Sequence, residues 1–332
     1  MVAGEYRMAM HLRHERVLVV AVVIVAIVMA GAGYAMSQTP SAETGSLKVV
    51  TAFYPLAYFA SEIGGEYASV TSLIPYNTEA HSWQPSTYNI LAASDADILI
   101  YNGAGLDPWF EEDVLTALNI TGKIVVETTA NLSLLPGSEG DHEHDSAEVQ
   151  DAHDHGEYDP HTWISPPLAK QQAQKIYDAF VQADPSHSGY YAQRWASLSA
   201  KFDSMDQAYS LNLSSKTKSI IFVTHGAFGY LADRYGFEQV SVIGISADEQ
   251  PSASALAGIV DMMIEHETYV VFLDPVYTDS YADTLKAELE SRMNQTVTIS
   301  NLYLMLGPVD GMDYFDQMES NLLNLKLGLG VP

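Results

Sequence analysis

Residues 219–236 read SIIFVTHGAFGYLADRYG, and this stretch decides the fold class. Its opening, Ser219–Thr224, is a short run of β-branched and aromatic residues, the composition of a strand buried on both faces. His225 follows directly at the carboxyl end of that strand. Ala227–Tyr235 then places apolar residues at helical spacing and stops at Gly236, a residue suited to end a helix. A strand feeding a helix through a short polar turn is half of a parallel βαβ unit.

The same alternation extends in both directions. Downstream, Gln239–Ile245, Tyr269–Leu273 and Val297–Leu302 read as strands, and Ser252–His266, Ser280–Met293 and Tyr314–Leu327 as helices. Upstream, strands are predicted at Leu47–Phe53, Ala68–Ile74, Asp97–Tyr101 and Lys123–Thr128, with helices at Tyr54–Ile63, Ser86–Ala93 and Pro108–Leu118. Two series of this kind predict an α/β protein of two similar parallel-sheet lobes, at 47–183 and 216–332. Between them, Pro166–Ala183 forms a helix that Asp184-Pro185 ends. Residues 186–211 carry Tyr190, Tyr191, Trp195, Leu198, Phe202, Met205 and Tyr209 at helical spacing. At 1.5 Å per residue this second helix would run roughly 39 Å, enough to act as one long rigid strut joining the lobes.

Residues 1–36 stand apart. Arg7, Arg13 and Arg16 precede an uncharged run from Val17 to Met36, long enough to cross a hydrocarbon core. This segment is expected to be a signal peptide or membrane anchor, followed by a polar linker at 37–46. The folded part would then lie outside the cytoplasm, at a cell surface or in a periplasm-like space, anchored by its N-terminal segment. The chain of 332 residues has no cysteine, so thiolate metal sites, disulfides and a lipidated N-terminal cysteine are all excluded. Forty-two acidic against fifteen basic residues give a formal net charge of −27, which would repel a nucleic-acid backbone.

Gly137–Asp159 has almost nothing to bury: nine acidic residues surround His142, His144, His153 and His155. An acidic loop of this composition suits loose, auxiliary contacts with divalent metal. Three other histidines are better placed for chemistry. His81 lies in IPYNTEAHSWQPS after the second strand, His161 in DPHTWISP after the fourth, and His225 at the end of the first strand of the second lobe. Ligands of parallel α/β sheets gather at the carboxyl ends of the strands, so these three would converge on the cleft between the lobes.

These segments, in this order, resemble the zinc- and manganese-binding proteins of ABC importers, the ZnuA/TroA-like family. The resemblance covers about residues 48–328. It implies two lobes on one rigid helix, a metal site in the cleft, and His81, His161 and His225 as ligands. Manganese-selective relatives tend to carry a carboxylate at the position of His225, and three imidazoles suit Zn(II) better than Mn(II). The chain is thus read as a binding protein that captures Zn(II) as cargo and delivers it to a membrane permease and its ATPase. A manganese or other divalent-metal protein, or a metal-dependent surface adhesin, is the alternative. Relatives with a fourth ligand supply a carboxylate just after the last strand. Here that stretch is Leu302-Tyr303-Leu304-Met305-Leu306-Gly307, which leaves water, Asp310 or Glu79 for the fourth position. Asp274 is expected to brace an imidazole from behind. No HExxH or GxSxG motif accompanies these residues, and no enzyme is predicted. Because imidazole coordinates only when neutral, zinc affinity is expected to fall below about pH 6.

Overall fold

The computed structural model describes residues 46–137, 157–244, 251–277 and 280–332. The apolar run and the four histidines of the acidic tract lie outside them. Strands β1 (Leu47–Thr51), β2 (Ala68–Ser72), β3 (Ile98–Tyr101) and β4 (Ile124–Glu127) form a parallel sheet in the order β2-β1-β3-β4. Strands β5 (Ile220–His225), β6 (Glu238–Ile243), β7 (Val270–Leu273) and β8 (Thr298–Asn301) repeat that order as β6-β5-β7-β8. Every residue of β3 and β5 is buried, as their unbroken apolar sequences require of central strands covered on both faces.

The helices are α1 (Tyr54–Gly64), α2 (Thr87–Ala93), α3 (Pro166–Ala183), α4 (Ser188–Asn212), α5 (Gly229–Tyr235), α6 (Ala253–Glu265), α7 (Ser280–Met293) and α8 (Tyr314–Gly328). Ser86 starts α2 with a capping box: its hydroxyl accepts the Asn89 N–H while the Asn89 side chain returns to the Ser86 N–H. The helix expected over Pro108–Leu118 contains a π-helical turn at Phe110–Leu115. The strut is α4, whose 25 residues span about 37 Å. It begins after a 3₁₀ turn at Pro185–His187 rather than at 186, because the proline restarts the chain there.

The periodic aromatics of α4 explain how it holds both sheets. Phe202 meets Phe59 of α1 at 5.4 Å and Phe315 of α8 at 5.0 Å between ring centroids. Each fully buried ring of this kind contributes roughly 1.5–3 kcal/mol. One apolar core therefore runs from the first sheet across α4 to α8 and the inner face of the second sheet, while a smaller core fills the space between the outer face and α6 and α7. Ser46–Pro332 is one compact unit.

Hydrogen bonds also cross between the sheets. Trp163 Nε1 donates to the Leu304 carbonyl at 2.8 Å, Tyr314 donates its hydroxyl to the Trp163 carbonyl, and the Asn77 N–H donates to Leu306 at 2.9 Å. Among the described residues no helix is long and apolar enough to cross a membrane.

Candidate metal centre

His81, His161 and His225 come together between the two sheets, each offering one ring nitrogen, all within 4.8 Å of one another. They come from three separate segments. The loop after β2 carries His81, the segment leading into α3 carries His161, and β5 itself ends on His225. His81 Nε2 lies 3.1 Å from His161 Nε2, and His225 Nε2 lies 3.3 Å from the same atom. Tetrahedral zinc with Zn–N bonds of about 2.0–2.1 Å sets its nitrogens about 3.3–3.4 Å apart. The two distances to His161 therefore stand near what one zinc ion would impose, and His81 and His225 lie within 4.8 Å of each other.

The ring behind His161 is oriented by its neighbours. Asp159 Oδ1 accepts both the His161 N–H at 2.9 Å and the Nδ1–H at 2.8 Å, so the lone pair of Nε2 faces the centre. Both residues are almost wholly buried. Sequence reading left Asp159 in the acidic loop, although its place two residues before His161, across Pro160, was the available signal. Glu79 lines the centre, but its oxygens are engaged by the His81 N–H, the Ser82 N–H and the Ser82 hydroxyl at 2.7–2.8 Å. Those bonds fold the loop so that His81 points inward.

Two expected residues fall elsewhere. Asp274 does not brace an imidazole; its oxygens accept the Val276 and Leu304 N–H groups, so it secures the loop that follows β8. Strand-end geometry decides this, because β7 ends beside that loop and the buried Leu304 amide needs an acceptor. Asp310 is exposed on the turn between Val309 and Met312, outside the histidine cluster. Around the histidines stand Glu79, Ala80, Trp163, Tyr277, Leu304 and Leu306. Met305 is buried on the other side of its loop, its sulfur 3.8 Å from the Asn321 amide.

Burial, and then the charge His161 would carry, push the His81 imidazole down to about 3; the same two influences, with His81, hold His225 well below its ordinary value. Protons therefore compete for these two imidazoles at lower pH than the value of about 6 expected of free ones. Stability follows with a definite sign. An unfolded histidine gains its proton near pH 6.5, whereas folded His81 stays neutral, so its contribution is complete above that pH and is lost as pH falls toward 3. The loss is at most about 1.4 kcal/mol per pH unit. Burial of Asp274 pushes its carboxyl up to about 6 and works in the opposite direction, so the raw profile mixes the two. In denaturation of the metal-free protein between pH 7 and 5, wild type should lose more stability than His81→Gln. Equal slopes would show that His81 does not resist protonation.

The sequence profile of the family described as zinc-uptake complex component A, periplasmic, matches residues 49–328. The high-affinity zinc uptake system protein ZnuA of Bacillus subtilis is 32% identical over 283 residues, covering 84% of this chain and 86% of that protein. The zinc-binding lipoprotein AdcA of Streptococcus pneumoniae is 30% identical over 85% of this chain, which spans 56% of the AdcA length. The crystal structure of the Zn(II)-bound ZnuA-like domain of AdcA superposes with a TM-score of 0.71 at 28% identity, covering 86% of this chain and 99% of that domain.

Proposed function

Since the chain belongs to the zinc-uptake complex component A family, we propose that it is the extracytoplasmic solute-binding component that captures Zn(II) and delivers it to an ABC import permease. The observation that carries this reading is the convergence of three imidazole nitrogens from two sheets within 4.8 Å, two of them at zinc spacing from the third. In the metal-free protein His161 Nε2 can accept from the Nε2–H of a neighbouring ring, so the three nitrogens do not all present lone pairs to one point. A divalent cation at their centre turns the crowding into coordination.

In this proposal His81, His161 and His225 bind the ion through Nε2, and Asp159 keeps His161 in the tautomer that can coordinate. The fourth position falls to water. Glu79 already accepts three hydrogen bonds, and Asp310 lies on an exposed turn. The donor set is neutral and nitrogen-rich, which favours zinc over manganese. The cross-sheet bonds of Trp163, Tyr314 and Asn77 leave little freedom for the lobes to swing, so capture proceeds on a nearly preassembled site. Release then needs the membrane partner to loosen contacts beside the site. The three imidazoles and the apolar wall of Leu304, Leu306 and Trp163 offer no nucleophile and no free general base, which suits a carrier rather than an enzyme. The segment 17–36 would deliver the folded part across a membrane and keep it there.

Isothermal titration of the purified chain with zinc and with manganese tests the reading. One tight zinc site with much weaker manganese binding is expected, and equal or tighter manganese binding would sink it.

A further inference from the structure

We propose that Tyr230 is a positioning residue for the zinc site: its hydroxyl ties the segment bearing His161 to the helix that follows His225, holding the two imidazoles in one frame. This rests on the zinc-capture reading above.

Tyr230 is buried in the first turn of α5, five residues after His225. Its hydroxyl donates to the Asp159 carbonyl at 2.6 Å and accepts the Leu135 N–H at 3.0 Å, so both of its hydrogen-bonding roles are used. Leu135 and Asp159 are themselves paired, the Asp159 N–H donating to Leu135 at 2.9 Å beside the antiparallel bridge of Pro136 and Tyr158. A single hydroxyl from the second lobe thus fastens both chains of this neck. The residue it grips is the one whose carboxylate orients His161.

At its other end the connection is equally short. The turn from β5 into α5 is held by the Ala227 N–H on the His225 carbonyl at 2.9 Å and the Phe228 N–H on Gln239 Oε1 at 2.9 Å. Asp159 also packs directly on Gly229, where an added Cβ would lie 2.7 Å from Asp159 Oδ2. Glycine is needed there because any side chain would push the carboxylate off His161. A displacement that separates His161 from His225 must therefore break the Tyr230 bond or drag Asp159 with it. The strand-to-helix turn, the tyrosine and the aspartate form one continuous linkage from ligand to ligand.

Loss of the hydroxyl should loosen the site without removing a ligand. By chelator competition, Tyr230→Phe should keep one zinc per chain but raise the dissociation constant about 10-fold, chiefly through faster release, as changes behind a metal ligand do. Tyr191→Phe is the control, since it deletes another tyrosine-to-aspartate hydrogen bond, at 2.9 Å to Asp184 in the α3–α4 corner. It should lower the melting temperature of the metal-free protein while leaving zinc affinity unchanged. Tyr230→Phe combined with Asp159→Asn should weaken binding by less than the product of the single effects, because both act through the same placement of His161. Gly229→Ala, which displaces the carboxylate with Tyr230 intact, should also weaken binding and covers the case of a poorly folded phenylalanine variant. Tight wild-type binding with a folded Tyr230→Phe within twofold of it, or, where that variant does not fold, with Gly229→Ala within twofold, would overturn the role of Tyr230 alone. Absence of a tight zinc site in the wild type would overturn the zinc-capture reading and this inference with it.

Discussion

Replacing His225 with alanine should remove most of the zinc affinity while leaving the protein folded. Four-ligand zinc sites gain about 10–16 kcal/mol in apparent binding free energy, or roughly 2.5–4 kcal/mol per ligand. At 1.4 kcal/mol per factor of ten, one lost imidazole weakens binding by about 10²–10³-fold. His225 is the informative choice among the three because it alone comes from the second sheet. Removing the ring leaves the pairing of Asp159 with His161 and the approach of His81 to His161 in place. The metal-free variant should retain a cooperative melt, whereas the rise in melting temperature on adding zinc should largely vanish. A variant that keeps wild-type affinity would show that the ion does not sit between the sheets, and capture in the cleft would have to be given up.

Metal preference should respond to position 306 and not to position 305. Read from sequence, Met305→Asp looks like the change that restores the carboxylate found in relatives. In the fold, Met305 is fully buried with φ of 52° and turns its sulfur toward Asn321, while Leu304 and Leu306 line the site. Met305→Asp therefore buries a carboxylate beside an amide that is already committed to Tyr303, at a cost of roughly 3–5 kcal/mol in stability and with no change in metal preference. Leu306→Asp places an oxygen beside the three nitrogens. Oxygen ligands suit manganese, so the ratio of manganese to zinc affinity should rise by about tenfold or more. Competition titrations on the two variants decide the matter. A gain in manganese affinity from Met305→Asp, with none from Leu306→Asp, would mean that the loop presents the opposite face to the ion.

What the sequence determined by itself is the part of this protein that is local. Short β-branched and aromatic runs such as ILIY at 98–101 and IIFV at 220–223, alternating with helical segments, read as buried parallel strands, and the proline at 185 ends α3. The convergence of the three histidines was legible too: His225 ends the central strand β5, while His81 and His161 lie on the segments that follow the edge strands β2 and β4, and connections leaving the carboxyl ends of parallel strands gather on one side of a sheet. The roles of the carboxylates were not. Asp159, Asp274, Glu79 and Asp310 all stand near a histidine or a strand end in sequence. Which of them touches an imidazole depends on which buried N–H groups elsewhere lack an acceptor. Asp274 turns to the amides of Val276 and Leu304, and Glu79 to those of His81 and Ser82, leaving Asp159 to the imidazole of His161. The hydroxyl of Tyr230 on Asp159 was hidden for the same reason, since 71 residues separate the partners and only the packing of α5 against the neck brings them together. A buried polar group takes the partner that tertiary structure puts within about 3 Å, and for the contacts of Asp274 with Leu304 and of Tyr230 with Asp159 the linear order of residues carries no record of that choice.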